Sequence, residues 1–367
     1  VSIPFIDLKA QLEALRGPIE KRIQTVLTHC QFILGPEVDE LEKALASFTG
    51  AKHAITCSSG TDAAVMAMMA LGIGPGDEVI VPAFSFIATA ETVVLLGATP
   101  VYVDVEADTF NIDIRSMEAA ITKKTKAIQP VGLYGQTADM DAINAIAKKH
   151  GIAVVEDAAQ SFGATYKSKR SCALSTIGVT SFFPAKPLGC YGDGGAIFTD
   201  SDELAVALKE IRVHGQKSRY YHTRIGINGR LDTIQCAILI PKLERFPWEL
   251  EQRSRLAERY NQAFAELPKS VTLPILKAGR TSAWAQYTIQ TPGRDEIAKK
   301  LQIKGIPTAV HYPHTMSDQP AYKENGRVVS DTVAKKLAQT VLSLPIYPDM
   351  TDKIQDQIIS GVIEIFS

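Results

Sequence analysis

The stretch AIQPVGLYGQTADMDAINAIAKKHGIAVVED, residues 127–157, decides the fold. Two apolar runs, Ala127 to Val131 and Ile152 to Val155, flank Asp139 to His150, in which Ile143, Ile146 and Ala147 lie on one side of a helical repeat. Strand, helix and strand in that order form a βαβ unit, and the crossover makes its two strands parallel. The pattern continues outward. Apolar strand candidates recur at Ala54 to Thr56, Glu78 to Val81, Pro100 to Val105 and Val179 to Phe183, with helical patterns between most of them. Upstream, a periodic helix from about Leu8 to Leu27 leads into Gly35-Pro36, and a second, with Val38, Leu41, Leu45 and Phe48 on one face, ends at Gly50. These elements predict an α/β fold with a mostly parallel central sheet between helices.

Beyond Pro241 the texture changes. A long charged helix, Glu249 to Leu267, gives way to segments punctuated by Pro and Gly, strand candidates at Trp284 to Gln290 and Pro307 to His311, and two amphipathic helices near the C-terminus. The expected division is a large domain, 1–240, and a smaller α+β domain, 241–367.

Lys and Arg number 39 against 40 Asp and Glu, a formal net charge of −1. That balance gives no basic field for nucleic acid or an anionic membrane. The longest apolar stretch, Ala63 to Ile73, is too short to span a bilayer and reads as a buried helix. Asp7 and Lys9 stand where a signal peptide would need an apolar run, so a cytoplasmic protein is expected. Cys30, Cys57, Cys172, Cys190 and Cys236 lie far apart, with no C-x-x-C pair and no His at ligand spacing. They predict buried free thiols and no metal site.

Open parallel sheets bind ligands beyond the carboxyl ends of their strands. Three places there carry polar chemistry. Cys57-Ser58-Ser59-Gly60-Thr61-Asp62 opens the helix at Ala63, and its small residues, hydroxyls and helix N-terminus outline a phosphate cradle, although a helix cap alone would also use Ser59. Glu156-Asp157-Ala158-Ala159-Gln160 follows Val155, where a carboxylate caps a helix, pairs with a base or meets a cationic ligand. Lys186 sits between the aromatic run Ser181-Phe182-Phe183 and the turn Gly192-Asp193-Gly194-Gly195. Partial burial there would lower its pKa and make it a nucleophile; a solvated loop lysine is the alternative. Together they are the parts that pyridoxal phosphate requires: donors for its phosphate, an amine for its aldehyde and a carboxylate for its ring nitrogen.

Ser59-Gly60-Thr61-Asp62, Glu156 to Gln160, Ser181 to Lys186 and Gly192 to Gly195 resemble the DegT/DnrJ/EryC1/StrS family of sugar-nucleotide aminotransferases. Phe5-Ile6-Asp7-Leu8, Gly74-Pro75-Gly76-Asp77-Glu78-Val79 and Ser343 to Pro348 are similar too, so the likeness spans almost the whole chain. The resemblance implies the fold of a fold type I pyridoxal phosphate aminotransferase. It implies that Lys186 and Asp157 are catalytic, with Lys186 holding the aldehyde and Asp157 facing the pyridine nitrogen. It further implies that Gln160 meets the ring 3′-oxygen, that Phe86 stacks on the ring, and that Ser59, Gly60, Thr61 and Ser181 hold the phosphate. Asn228 would reach the phosphate of a neighbouring subunit's cofactor, making a homodimer with shared sites. Read without the resemblance, Phe86 is equally a core residue and Asn228 a turn residue before Gly229.

The implied reaction takes the amino group of L-glutamate, by way of pyridoxamine phosphate, to a keto sugar nucleotide, and relatives that remove a sugar hydroxyl instead have His in place of Lys186. The nearest resemblance implies C3 of UDP-2-acetamido-2-deoxy-3-oxo-glucuronate and O-antigen, or lipopolysaccharide, sugar biosynthesis. Another dTDP- or UDP-linked keto sugar, a lyase or dehydratase using the same cofactor, and a non-catalytic ligand sensor are the competing readings. Arg230, His311 and Tyr312 are candidates for the sugar site, Arg230 for a C6 carboxylate through its planar guanidinium. A structural salt bridge for Arg230 and a packed core position for His311 are the alternatives.

Overall fold

A computed structural model of the chain describes residues 3–366. Val1, Ser2 and Ser367, the outermost residues of the two expected domains, lie outside the described residues. Helix α1 (Leu8–His29) starts at Asp7, whose carboxylate accepts from the N–H groups of Lys9 and Ala10. Helix α2 (Pro36–Thr49) starts on a proline at its first position and stops at Gly50, whose φ of +82° suits glycine. The alternation expected from the sequence then runs β1 (His53–Cys57), α3 (Gly60–Ala70), β2 (Glu78–Pro82), α4 (Ala88–Leu95), β3 (Thr99–Val103), α5 (Ile114–Ala119), β4 (Thr125–Ile128), α6 (Met140–His150) and β5 (Ala153–Asp157). A short hairpin, β6 (Thr165–Tyr166) and β7 (Lys169–Arg170), precedes β8 (Ile177–Ser181), β9 (Gly195–Thr199) and α7 (Asp202–Ile211).

The main sheet has the order β1-β9-β8-β5-β4-β2-β3 and an eighth, C-terminal edge strand. From β8 to that edge every pairing is parallel. Strand β9 was not foreseen from the sequence. It lies antiparallel between β1 and β8, and its first residue, Gly195, pairs with Cys57 on one side and Ser181 on the other. This insertion brings the carboxyl ends of β1, β8 and β5 to one edge of the sheet.

A second hairpin, β10 (Gln216–Ser218) and β11 (Tyr221–His222), leads to α8 (Thr233–Ala263). At 31 residues α8 is longer than expected: it begins at Thr233, sixteen residues before Glu249, and contains both Pro241, after which the texture changes, and Pro247. The expected division after residue 240 therefore falls inside a continuous helix. Beyond it come β12 (Tyr287–Gln290), α9 (Arg294–Ile303), β13 (Arg327–Val328), α10 (Thr332–Thr340), β14 (Val341–Leu344) and α11 (Asp352–Phe366). Strands β12 and β14 pair antiparallel over a core that includes Tyr260, Tyr287, Leu301, Leu344 and Ile358. The strand expected over Pro307 to His311 does not form a ladder; it is reduced to a single bridge, Ala309 to Ser343, on the edge of β14 away from β12.

The C-terminal third is not independent of the main sheet. Strand β13 pairs with β3 as the eighth strand, and Asp104, just past β3, accepts from the N–H groups of Val333 and Ala334 in the first turn of α10. That borrowed cap is worth about 1 kcal/mol. Four of the five cysteines are buried as expected; Cys30 is exposed, because it occupies the left-handed position that ends α1. Among the described residues no helix is long and apolar enough to cross a membrane.

Glu156 neither caps a helix nor pairs with a base. It points to the opposite side of β5 from Asp157, where its Oε2 accepts from the Cys172 N–H at 2.9 Å and its Oε1 is buried without a partner. Burial pushes this carboxyl from 4.5 up to about 8. Between those values the folded chain binds a proton that the unfolded chain has released, so stability falls as pH rises through the window. Glu156→Gln should match the parent near pH 5 and exceed it by about 2–4 kcal/mol at pH 9 in urea denaturation.

Candidate active site

Three strand ends build the site. After β1, Ser59 caps α3: its Oγ accepts from the Asp62 N–H at 3.0 Å and donates to the Asp62 carboxylate at 3.0 Å. The capping reading is thus correct, and it leaves the Gly60 and Thr61 end of α3 facing a cavity. Gly60 lies against Ser181 at the end of β8; a Cβ on Gly60 would come within 2.5 Å of the Ser181 Cβ. One on Gly195 would come within 2.4 Å of the Ser59 carbonyl. Glycine at both places lets two strand ends and a helix N-terminus converge.

The cavity holds about 480 Å³ and is lined by Ser59, Gly60, Thr61, Phe86, Asp157, Gln160, Ser181, Lys186, His311 and Tyr312, among others. Ten of the twelve residues singled out from the sequence meet there. Phe86 is no core residue: it is 49% exposed, with its ring 5.8 Å from that of Tyr312. Gln160 is fixed at both ends, its Oε1 accepting from the Tyr134 N–H at 2.8 Å and its Nε2 donating to the Tyr312 hydroxyl at 3.2 Å.

Lys186 stands on a turn that folds back on itself. Phe182 N–H donates to the Gly194 carbonyl and Cys190 N–H to the Phe182 carbonyl, both at 2.7 Å, and Lys186 N–H donates to the Phe183 carbonyl at 2.9 Å. The result is a half-buried amine within the cavity, not a solvated surface lysine. Burial lowers the Lys186 pKa, with the Asp157 carboxylate partly opposing it. Burial raises that of Asp157, whose Oδ1 accepts from the Ala159 N–H at 2.9 Å; this bond and Lys186 hold it back. His311 is driven down to about 4, by burial first and by Lys186 second, and is therefore neutral at physiological pH. Its Nδ1 lies 3.0 Å from the Ser343 hydroxyl, and its carbonyl accepts from the Tyr134 hydroxyl.

Asn228 and Arg230 do not line the cavity. They flank Gly229, whose carbonyl accepts from the Ser58 N–H at 3.1 Å, so their turn sits directly behind the α3 end of the site. The structural salt bridge considered for Arg230 is not formed: it has no carboxylate partner among the described residues, and its Nε is buried without a hydrogen bond. Sequence reading missed Gln129, a lining residue that is fully buried with neither amide atom paired. Its signal was a polar residue in the apolar run Ala127 to Val131. Among the described residues no cluster of metal-ligating side chains occurs.

The DegT/DnrJ/EryC1/StrS aminotransferase family model matches residues 14–363. The chain belongs to this family. It is 55% identical to the UDP-2-acetamido-2-deoxy-3-oxo-D-glucuronate aminotransferase of Pseudomonas aeruginosa, over 94% of this chain and 95% of that one. A crystal structure of S. venezuelae DesV in complex with a ketimine intermediate matches all of this chain and 99% of its own, with a TM-score of 0.97 and 40% identity. NtdA from Bacillus subtilis, solved with bound cofactor PMP, matches with a TM-score of 0.91 and 33% identity over all of this chain and 85% of its own.

The protein is thus a pyridoxal phosphate-dependent aminotransferase with the fold its sequence implied. Its cavity fits that cofactor: a helix N-terminus and hydroxyls that a single Cβ would crowd, a half-buried amine, and a half-buried carboxylate. Gly60→Ala should lower pyridoxamine phosphate affinity at least about tenfold in equilibrium dialysis and cost about 1–3 kcal/mol of stability, since the added methyl meets Ser181.

Proposed function

We propose that the chain transfers the amino group of L-glutamate to C3 of UDP-2-acetamido-2-deoxy-3-oxo-glucuronate, in lipopolysaccharide O-antigen sugar biosynthesis. The carrying observation is the half-buried Lys186 amine that shares one cavity with Asp157, in a chain 55% identical to an aminotransferase of that name. When bound, the cofactor supplies an aldehyde to receive the amino group and a ring that takes up the electrons left when the donor's α-proton departs.

The chain's own residues do the rest. Ser59, Gly60, Thr61 and Ser181 bind the phosphate, Phe86 covers the ring, and Gln160 faces the 3′-oxygen through the amide that now holds Tyr312. Asp157 keeps the ring nitrogen protonated. Lys186, with its proton affinity reduced by burial, would serve as the free base that takes up the donor's α-proton and holds it on Nζ for return. Neutral His311 and Tyr312 offer hydrogen bonds to the sugar without adding charge.

The second subunit enters through Asn228 and Arg230. The hairpin that leads to them carries the exposed side chains Tyr220, Tyr221 and Ile225, at 79%, 62% and 84%, which suits burial against a second copy. In that homodimer Asn228 reaches the neighbour's phosphate and Arg230, free of a structural partner, pairs with the sugar's C6 carboxylate. The proposed setting is the cytoplasm, where five free thiols stay reduced.

Glutamate should shift the visible absorption band of the cofactor-loaded protein to that of the pyridoxamine form and release 2-oxoglutarate. Lys186→Ala should show neither the band nor turnover, and an unaltered band would remove the lysine's assignment. Asp157→Asn should cut turnover at least about 100-fold while still binding pyridoxamine phosphate, more weakly. With the uronate substrate, Arg230→Ala should raise KM about tenfold or more and leave the glutamate half-reaction unchanged.

A further inference from the structure

Gln129 follows β4 directly. It is 0% exposed, yet it lines the active-site cavity, and its Nε2 and Oε1 both lack a hydrogen-bond partner. Nearby lining hydroxyls have no such deficit, since Ser85 and Thr89 bond each other at 3.0 Å. An unpaired buried amide is costly, and Leu or Met would fill the same place in this apolar run without that cost.

Strand register shows what it serves. Ile128 pairs with Val154 and Val131 bridges Asp157, all in parallel. Stepping back two residues from Val131 puts Gln129 on the face that carries Asp157, one strand over and two residues behind it. The groups around that carboxylate are the Ala159 N–H on its Oδ1, the Lys186 amine and the Tyr312 hydroxyl; Glu156 faces the other side of the strand.

We propose that Gln129 is a positioning residue whose carboxamide donates through Nε2, by way of one bridging water, to the Asp157 carboxylate and holds it facing the ring nitrogen of the cofactor. The inference rests on the assignment of Asp157 to that nitrogen.

A double-mutant cycle separates the two. Equilibrium dialysis with pyridoxamine phosphate would compare the parent, Gln129→Met, Asp157→Asn and the double variant, with Gln129→Leu carried in parallel as a second apolar replacement. Gln129→Met should weaken binding about tenfold in the parent but less than about twofold in the Asp157→Asn background, because the amide then has no carboxylate to hold. Its melting temperature should change little, since one water-bridged hydrogen bond is exchanged for an apolar side chain of similar volume in a buried place. An equal loss in both backgrounds, or none in the parent, overturns the proposal. Unchanged affinity in Asp157→Asn alone overturns the ring-nitrogen assignment beneath it.

Discussion

Gly195 is held in two ladders at once, opposite Cys57 in β1 and opposite Ser181 in β8, with the Ser59 carbonyl where a side chain would begin. That close approach puts the N-terminus of α3 beside the end of β8. The parallel pairing of β8 with β5 then carries Asp157 to the same edge, and the turn after β8 brings Lys186 back over it. Strand β9 separates β1 from β8 by two strand spacings, and the side-chain-free Gly195 and Gly60 let the end of α3 cross that width to meet Ser181.

Within that enclosure the charges control each other. Lys186 and Asp157 are each pushed toward neutrality by burial; the Asp157 carboxylate opposes this at the amine, and the Ala159 N–H and then Lys186 oppose it at the carboxyl. A ligand that takes up one of the two charges shifts the balance of the other. The neutral imidazole of His311 keeps a second cation out of the same space, which leaves the amine as the group that exchanges protons.

Much of this was legible in the sequence because strand ends and turns leave local marks. The apolar runs around Asp139 to His150 announced parallel strands, and small or charged residues after those runs announced Ser59, Asp157 and Lys186. Strand β9 was missed because the glycines at 192, 194 and 195 read as a turn, and its first residue pairs only through distant partners. Helix α8 was cut short because the composition changes after Pro241, whereas the helix runs through that change, held by burial of Leu239, Leu243 and Phe246. Asn228 and Arg230 show the opposite limit: their turn was visible, but a single chain gives their side chains nothing in the cavity to meet.

Helix α8 also settles how the chain can be taken apart. At 31 residues it is about 46 Å long, and it runs through the point where the composition changes. A cut at residue 240 would sever it in mid-helix, strip β13 from the edge of β3 and leave Asp104 without the first turn of α10 to cap. The C-terminal third, although it has a core of its own, is therefore joined by a continuous helix and not by a flexible linker, and truncation at that boundary removes contacts from both parts.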